Sequence, residues 1–425
     1  MRRRNTWLRI GLILALVLVP ILGISQTLTD NGSTTPDHIT LTWTDNPTET
    51  MTLTWRTDTT ILNGYIQYQK GSGINQKADI VKAHYSVFTS NIGISHIFTE
   101  TLSELSPNTR YTYRVGGYPE WSPSHTFKTA NRNASSVKFL IFGDSQSSDK
   151  GEKPYWVWHN TLNNAVNANP DAEFFVNVGD LSDVGQSGTH WNAWFKASEG
   201  MIDRIPIMPV EGNHETYGDP SNHKPVYYLS QFTLSENGPA GLKEQAYSYD
   251  IGPVHIVVLD SQADEEGDIL PAQKTWLESD LAASKAPWKI AFFHKPPYEV
   301  HNVRANLNVK EAFCPVLDKY HVDMVFNGHD HGVARTYPIK DGKYMQKPSE
   351  GTIYYVVGRS GTKVYKDIGK KDWDTYFFAP QSQPNYLVFK ADKNKLSVKS
   401  FNQDGTLLDD FFIDKKKDIS SDSKK

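Results

Sequence analysis

Five apolar stretches of this chain run into residue types that hold metal ions. FLIFGDSQ brings Asp144 and Gln146, FFVNVGDLSD brings Asp180 and Asp183, and MPVEGNHE brings Asn213, His214 and Glu215. IAFFHKPPY carries His294, and MVFNGHDH carries His329 and His331. Each run is too short for a helix and reads as a buried strand. Buried strands rarely end in paired carboxylates unless a cation or a catalytic task awaits them. In open α/β sheets the ligand site lies beyond the carboxyl ends of the strands, so these five loops are expected to converge. A pair of cations ~3.5–4 Å apart needs one ligand that reaches both, and a carboxylate does so. Asp180 is the candidate bridge. Neutral His and Asn side chains complete such a site without over-neutralising it. Two divalent ions bring a charge of about +4, and Asp144, Asp180 and a bridging hydroxide return about −3. That net positive pocket suits a phosphate ester, with the metals acidifying the water that attacks phosphorus.

The elements that must position these groups fall into two blocks. At 425 residues the chain is long enough for two domains. The first block, 36–130, reads as all-β: 38–43, 50–57, 65–70, 95–102, 109–117 and 124–129 are short strands in which apolar residues alternate with polar ones. Turn signals such as Asp45-Asn46-Pro47, Asn63-Gly64 and Ser106-Pro107-Asn108 lie between them, which predicts a β-sandwich. No cluster of titratable residues appears there, so it reads as a packing or positioning module. Residues 131–136, NRNASS, form a short polar linker. Beyond it the pattern becomes α/β, with strands at 137–143, 173–179, 205–210, 254–260, 288–294, 322–328 and 352–358. Helices are expected over 154–168, 190–203, 271–284 and 309–320, the last kinked or shortened by Pro315. Strand-rich hairpins close this block at 413, and the polar tail 414–425 is expected to fray.

The two ends of the composition argument concern partners and compartment. Charged residues are 22% and the formal net charge is −4, which gives no reason to expect nucleic acid or an anionic membrane as partner. Arg2, Arg3 and Arg4 precede an apolar run, Ile10–Ile24, broken by Pro20, with Gly23 and Ser25 before a cleavage point at Gln26. Residues 1–25 therefore read as an export signal. The alternative is a permanent single-span anchor, for which the run is short against the ~20 apolar residues a bilayer needs. Cys314 is the only cysteine, which excludes a disulfide within the chain and leaves nitrogen and oxygen as metal ligands.

Taken in order, GD, GD, GNHE, H and GHxH resemble the signature of the calcineurin-like metallophosphoesterases. The all-β block in front, together with QxxWLESDL, HKPPY, GHDHGVARTYP and GTIYYVVGRSG, is similar to the purple acid phosphatases in particular. The fragment LSPNTRYTYRV also resembles fibronectin type III modules. The resemblance spans roughly residues 36–410. It implies an all-β sandwich domain over 36–130, followed over 137–413 by an α/β metallophosphoesterase domain of two packed mixed sheets flanked by helices. It implies one metal on Asp144, Asp180 and His331, and a second on Asp180, Asn213, His294 and His329. His214 would contact the phosphoryl group or protonate the leaving oxygen, with Asn213 also facing substrate and Glu215 orienting the loop.

Two departures from the purple acid phosphatase pattern matter. Those enzymes have Tyr three residues after the bridging Asp, where this chain has Asp183; relatives with GDxxD use the second Asp to pair with the GNH histidine. Asp183 is thus expected to orient and charge His214. Gln146 stands where the broader family often has His, and an amide is a poor metal ligand, so it is expected beside the ligands rather than among them. His301 resembles in placement the extra histidines that contact phosphate, and Arg335 is a further substrate-binding candidate. Tyr298 and His223 are weaker candidates for the pocket wall, with an exposed loop the plainer reading of each.

These readings together imply an exported hydrolase of small phosphate esters with two metal ions drawn from Fe, Mn or Zn. Phosphomonoesters are the expected substrates, with a phosphodiesterase or nucleotidase as the alternative on the same site. The rival of another class is a cell-surface binding protein that has lost catalysis. A membrane enters only if the N-terminal segment stays uncleaved.

Overall fold

Alternation of apolar residues with threonine builds the first domain. The computed structural model of the chain describes residues 31–148, 152–218, 224–262, 269–380 and 382–424, so the expected export signal and His223 lie outside the described residues. Strands Asp37–Thr42, Met51–Thr57, Gly93–Leu102, Asp79–Ser90, Gly64–Lys70, Arg110–Gly116 and His125–Lys128 pair in that spatial order. Leu53, Trp55, Phe98, Tyr113 and Phe127 close the core between the layers. The strand Asp79–Ser90, absent from the sequence expectation, makes the corner. Its first half pairs with Gly64–Lys70 and its second half with Gly93–Leu102, so one strand serves both sheets. Ile80 and Val87 are exposed there, so much of the strand's apolar surface lies outside the core.

The second domain is two mixed sheets packed face to face. One runs Tyr247–Ile251, Val254–Val258, Trp288–Phe292, Met324–Asn327, Ile353–Val357, Val333–Thr336 and Asp374–Phe378. The other runs Ile419–Ser420, Leu407–Asp414, Lys395–Asn402, Asn385–Asp392, Ser136–Phe142 and Phe175–Asn177. Phenylalanines join them: Phe139 stacks on Phe174 at 4.5 Å and on Phe389 at 4.4 Å, and meets Phe292 at 6.3 Å. Helices Glu152–Ala168 and Gly188–Ser198 meet through Trp158 and Trp194, with Trp158 against Phe142 of the second sheet. Helices Ile269–Ala283 and Leu307–Lys319 cover the other side with Leu277, Leu281, Phe313 and Leu317. An all-β domain followed by a sheet-rich α/β domain is the architecture expected from the sequence.

Three local expectations differ from the structure. Residues 205–210 form only isolated bridges, Phe175 to Ile207 and Val178 to Val210. Pro206 and Pro209 remove the N–H groups a continuous ladder needs. The helix Leu307–Lys319 runs through Pro315 and is not shortened by it, with Val316 and Leu317 buried beyond the proline. The polar tail does not simply fray: Ile419–Ser420 pairs with Ile413 and Asp414, and Asp422 meets Arg335.

The domains share a dense seam. Leu41 exchanges backbone hydrogen bonds with Ile202 and Ile207, Tyr113 donates to the Asp203 carbonyl at 2.7 Å, and Arg56 donates to Asn192 at 2.7 Å. The sandwich also sends a hairpin tip across, where Asn91 accepts from Gly188 N–H at 2.8 Å and from the Tyr227 hydroxyl at 2.9 Å. No helix among the described residues is long and apolar enough to cross a membrane.

One buried charge ties stability to pH. His255 lies 5% exposed between Asp250, at 2.8 Å, and Asp280, at 2.7 Å. Burial alone would lower its pKa, but hydrogen bonds to the two carboxylates raise it from 6.5 to about 9. A raised folded pKa adds stability that is full below the unfolded value and is lost as pH rises through the folded one. Between pH 6.5 and pH 9 the wild type is therefore expected to lose up to about 3 kcal/mol from this group alone. His255→Gln should melt lower at pH 6 and show a flatter decline above it in thermal melts. A variant with the same slope as the wild type would place that pH dependence elsewhere.

Candidate metal centre

Parallel pairing sets the site. Ser136–Phe142 runs beside Phe175–Asn177, and Trp288–Phe292 beside Met324–Asn327, so the loops after them leave the two sheets at one end. Those loops carry Asp144, Asp180, His294, His329 and His331. Asn213 and His214 come from the short 3-10 helix Asn213–Thr216, which follows the bridge at Val210. Asp144, Asp180, His329 and His331 take φ of 53°, 53°, 72° and 55°. Left-handed backbone at non-glycine residues is uncommon and gathers where a structure aims side chains at a common point. Two glycines make room for them. A Cβ at Gly212 would lie 2.3 Å from Asp180 Oδ1, and one at Gly179 (φ 86°) would lie 2.5 Å from His294 Nδ1.

Two ligand clusters result, and Asp180 belongs to both. Asp180, His294 and His329 form one, and Asp144, Asp180 and His331 the other, with the ligand atoms of each within 4.8 Å of one another. Asp180 Oδ1 lies 3.2 Å from His294 Nε2, which lies 3.2 Å from His329 Nδ1. His331 Nε2 lies 3.1 Å from Asp144 Oδ1. Ligands held at about 2.0–2.2 Å from one cation stand roughly 3.0–3.5 Å apart, so these spacings fit. The imidazole hydrogens are also committed correctly. His294 Nδ1 donates to the Val178 carbonyl at 2.8 Å, and His331 Nδ1 to the Lys363 carbonyl at 2.8 Å, which turns both Nε2 atoms inward. His331 Nε2 and Asn213 Oδ1 are buried without a hydrogen-bond partner among the described residues. Orphaned buried acceptors of this kind suit a cation. Asp and His groups here could therefore bind a dinuclear metal centre.

The electrostatics agree with that use. Burial would raise the Asp180 carboxyl, but the charges of His294 and His214 pull it well below the usual range. Burial opposes charge on His294, yet the Asp180 carboxylate beside it lifts it to about 9. Burial and the His294 charge hold His329 well below its ordinary value. A cation taking these ligands would displace the His294 proton and collect the Asp180 carboxylate already held as an anion.

Around the clusters a framework fixes the loops. Glu215, fully buried, accepts backbone N–H groups from Asp180, Leu181, Ser182 and Gly212 at 2.7–3.3 Å. Burial and then the Asp180 charge push its carboxyl up to about 8, against the pull of those donors. Gln146 donates its amide to Asp180 Oδ2 at 3.1 Å, which places it beside the ligand carboxylate. His214 is 6% exposed, with Nε2 3.9 Å from Asp180 Oδ2. Its Nδ1 meets the Asp183 backbone carbonyl at 2.5 Å and the Asp183 carboxylate only at 3.5 Å. The carbonyl is thus the nearer orienting partner, and the side chain supplies charge from a longer distance. Tyr155 supports that loop, its hydroxyl accepting from Asp183 N–H at 3.0 Å.

Other sequence candidates land elsewhere. Arg335 is a correction: it is buried, with its guanidinium on Asp409 at 3.1 Å and Thr375 at 2.7 Å and stacked over Phe411. It joins the two sheets and is not available to a substrate. Tyr298 is neither pocket wall nor exposed loop; it is buried against Tyr354 and Trp373. His301 lies at the rim, 5.6 Å by ring centroids from Tyr365, which itself stacks on His331 at 4.3 Å. Sequence reasoning missed Tyr365, Arg304, Asp330 and Lys363. Arg304 sits over Tyr365 and donates to the His329 carbonyl at 2.7 Å and to Asp330 at 2.9 Å. Lys363 donates to His214 Nε2 at 2.8 Å. One signal could have found it: the loop GRSGTK follows Ile353–Val357, which is parallel to Met324–Asn327 and therefore opens at the same end.

Comparison with known proteins agrees with this geometry. Residues 137–333 match the calcineurin-like phosphoesterase family, and residues 36–129 match the purple acid phosphatase N-terminal domain. Purple acid phosphatase 21 of Arabidopsis thaliana is 27% identical over 77% of this chain and 71% of its own length. Acid phosphatase type 7 of Mus musculus is 24% identical over 95% of this chain and 96% of its own. The structure of purple acid phosphatase PPD1 from yellow lupin, Lupinus luteus, aligns with a TM-score of 0.73 at 21% identity, over 89% of this chain and 74% of that one, which shows a shared fold. Both domains are matched in order and the ligand clusters are in place: a calcineurin-like phosphoesterase domain follows a purple acid phosphatase N-terminal domain.

Proposed function

We propose that the protein is an exported phosphomonoesterase whose two metal ions share Asp180. The observation that carries this reading is the pair of ligand clusters meeting at one carboxylate, with His214 3.9 Å from it. Asp144, Asp180 and His331 would hold one ion; Asp180, Asn213, His294 and His329 the other. When bound, two such ions supply Lewis acidity at the phosphoryl oxygens and an acidified water. The protein does the rest. Asp144 and Asp180 would return only two of the positive charges that two divalent ions bring, so the pocket would stay positive and draw in an anionic ester. His214 faces the reacting group through Nε2, held there by its Nδ1–H on the Asp183 carbonyl. Protonating a leaving oxygen requires a proton on Nε2 in place of the Lys363 contact at 2.8 Å, and the Asp183 carboxylate stands 3.5 Å from the other ring nitrogen. Gln146 and Glu215 hold the carboxylate and backbone of the bridging residue still. Export rests on the basic start, apolar run and small residues of positions 1–25.

The test is metal analysis of the purified full-length chain combined with hydrolysis of p-nitrophenyl phosphate and bis-p-nitrophenyl phosphate across pH 5–9. Metal with monoester turnover is expected. Activity on the diester alone would select a phosphodiesterase, and metal-free protein inactive on both would end the enzymatic reading.

A further inference from the structure

Lys363 is the cation nearest His214, and nothing in the ligand sets accounts for it. Its backbone carbonyl accepts the His331 Nδ1–H at 2.8 Å, so the residue is anchored directly to one ligand cluster. Its side chain then reaches across to His214 Nε2 at 2.8 Å and to Asp183 Oδ1 at 3.6 Å. The side chain is 23% exposed, so the ammonium faces both the cluster and solvent. An ammonium has three donors, of which His214 takes one. Arg304, another cation on this side, is already committed to the His329 carbonyl and Asp330. His301 and Tyr365 complete the rim, with the Lys363 ammonium 5.9 Å from the Tyr365 ring. A phosphoryl group seated on both ligand clusters and against His214 would therefore meet the Lys363 ammonium at its edge.

We propose that Lys363 binds a terminal phosphoryl oxygen and so selects phosphomonoesters over diesters, an inference that rests on the site being a phosphoesterase. A monoester near neutral pH presents oxygens carrying up to two negative charges, and the ammonium gains most from the oxygen that carries the second. A diester has one charge fewer and puts an organic group where that oxygen would be. The preference thus comes from a charge placed by the loop after Ile353–Val357 rather than from the ligands themselves.

The experiment compares wild type with K363M and K363R, as full-length metal-containing protein. It reads kcat/KM for both p-nitrophenyl substrates, inorganic phosphate binding by calorimetry, metal content and thermal melting. K363M is expected to lose ~10–100-fold on the monoester, the range for a lost hydrogen bond to a charged group, and less than about threefold on the diester. Phosphate binding should weaken by ~10-fold or more, with K363R recovering most of it and metal content unchanged. Equal losses on both substrates, or phosphate binding that does not move, would overturn the proposal. K363Q supplies the same comparison should K363M not fold. Wild type that binds phosphate but hydrolyses neither substrate would refute the phosphoesterase reading, while the phosphate titration would still judge Lys363.

Discussion

Asp180→Asn is expected to empty both metal positions together and to lower phosphate ester hydrolysis by ~10³-fold or more. Lewis-acid stabilisation is worth several kcal/mol, and each ~1.4 kcal/mol is tenfold in rate. The substitution preserves size, so the fold has little reason to fail, yet it replaces one of two ligand oxygens with an amide N–H pair. Asp180 Oδ1 now faces His294 Nε2 at 3.2 Å and accepts the His214 backbone N–H at 2.9 Å, while Oδ2 accepts Gln146. An amide in that place presents donors to an imidazole and withdraws charge from both clusters. Elemental analysis alongside turnover checks this. Loss of one metal with the other retained at full occupancy would show that the carboxylate serves only one of them.

His214→Ala is expected to act differently, lowering turnover by ~10²–10⁴-fold, the range for a lost general acid, with metal content near normal. His214 stands beside the clusters rather than in them: its Nε2 is 3.9 Å from Asp180 and is occupied by Lys363. Asp183→Ala should cost less than His214→Ala. The backbone carbonyl, which survives that substitution, is the partner at 2.5 Å, and the lost carboxylate stands at 3.5 Å. Its effect should appear in turnover more than in metal content. If His214→Ala strips a metal, the residue is a ligand and its assigned part in catalysis is wrong.

The contrast between Asp180 and Arg335 shows where sequence carried information and where it did not. Asp180 follows a buried apolar strand and a glycine, and so do Asp144 and His329. Residues at such positions are aimed by the sheet, and the parallel order of the strands brings them to one end. Arg335 lies within a strand, and which of its two faces binds depends on a partner, Asp409, far along the chain. Nothing local announces that pairing. Lys363 was hidden for a related reason, since its contact with His214 joins residues 149 apart in sequence. The strand Asp79–Ser90 was legible in the alternation of Val81, Ala83, Tyr85 and Val87 with polar residues, although Tyr85 and Val87 stay exposed in the fold. The proline-bearing stretch 205–210 kept the right place in the sheet but forms isolated bridges rather than a continuous ladder. The positions of the ligand loops were thus legible, while the cationic rim and the supports from other elements were set by tertiary contacts.

The most direct test of a metal pair sharing Asp180 is a crystal structure of the purified protein with anomalous diffraction recorded at the Fe, Mn and Zn edges. Two anomalous peaks ~3.5–4 Å apart are expected on either side of the Asp180 carboxylate, one against Asp144 and His331 and the other against Asn213, His294 and His329. A single peak, or two peaks that do not share Asp180, would contradict it.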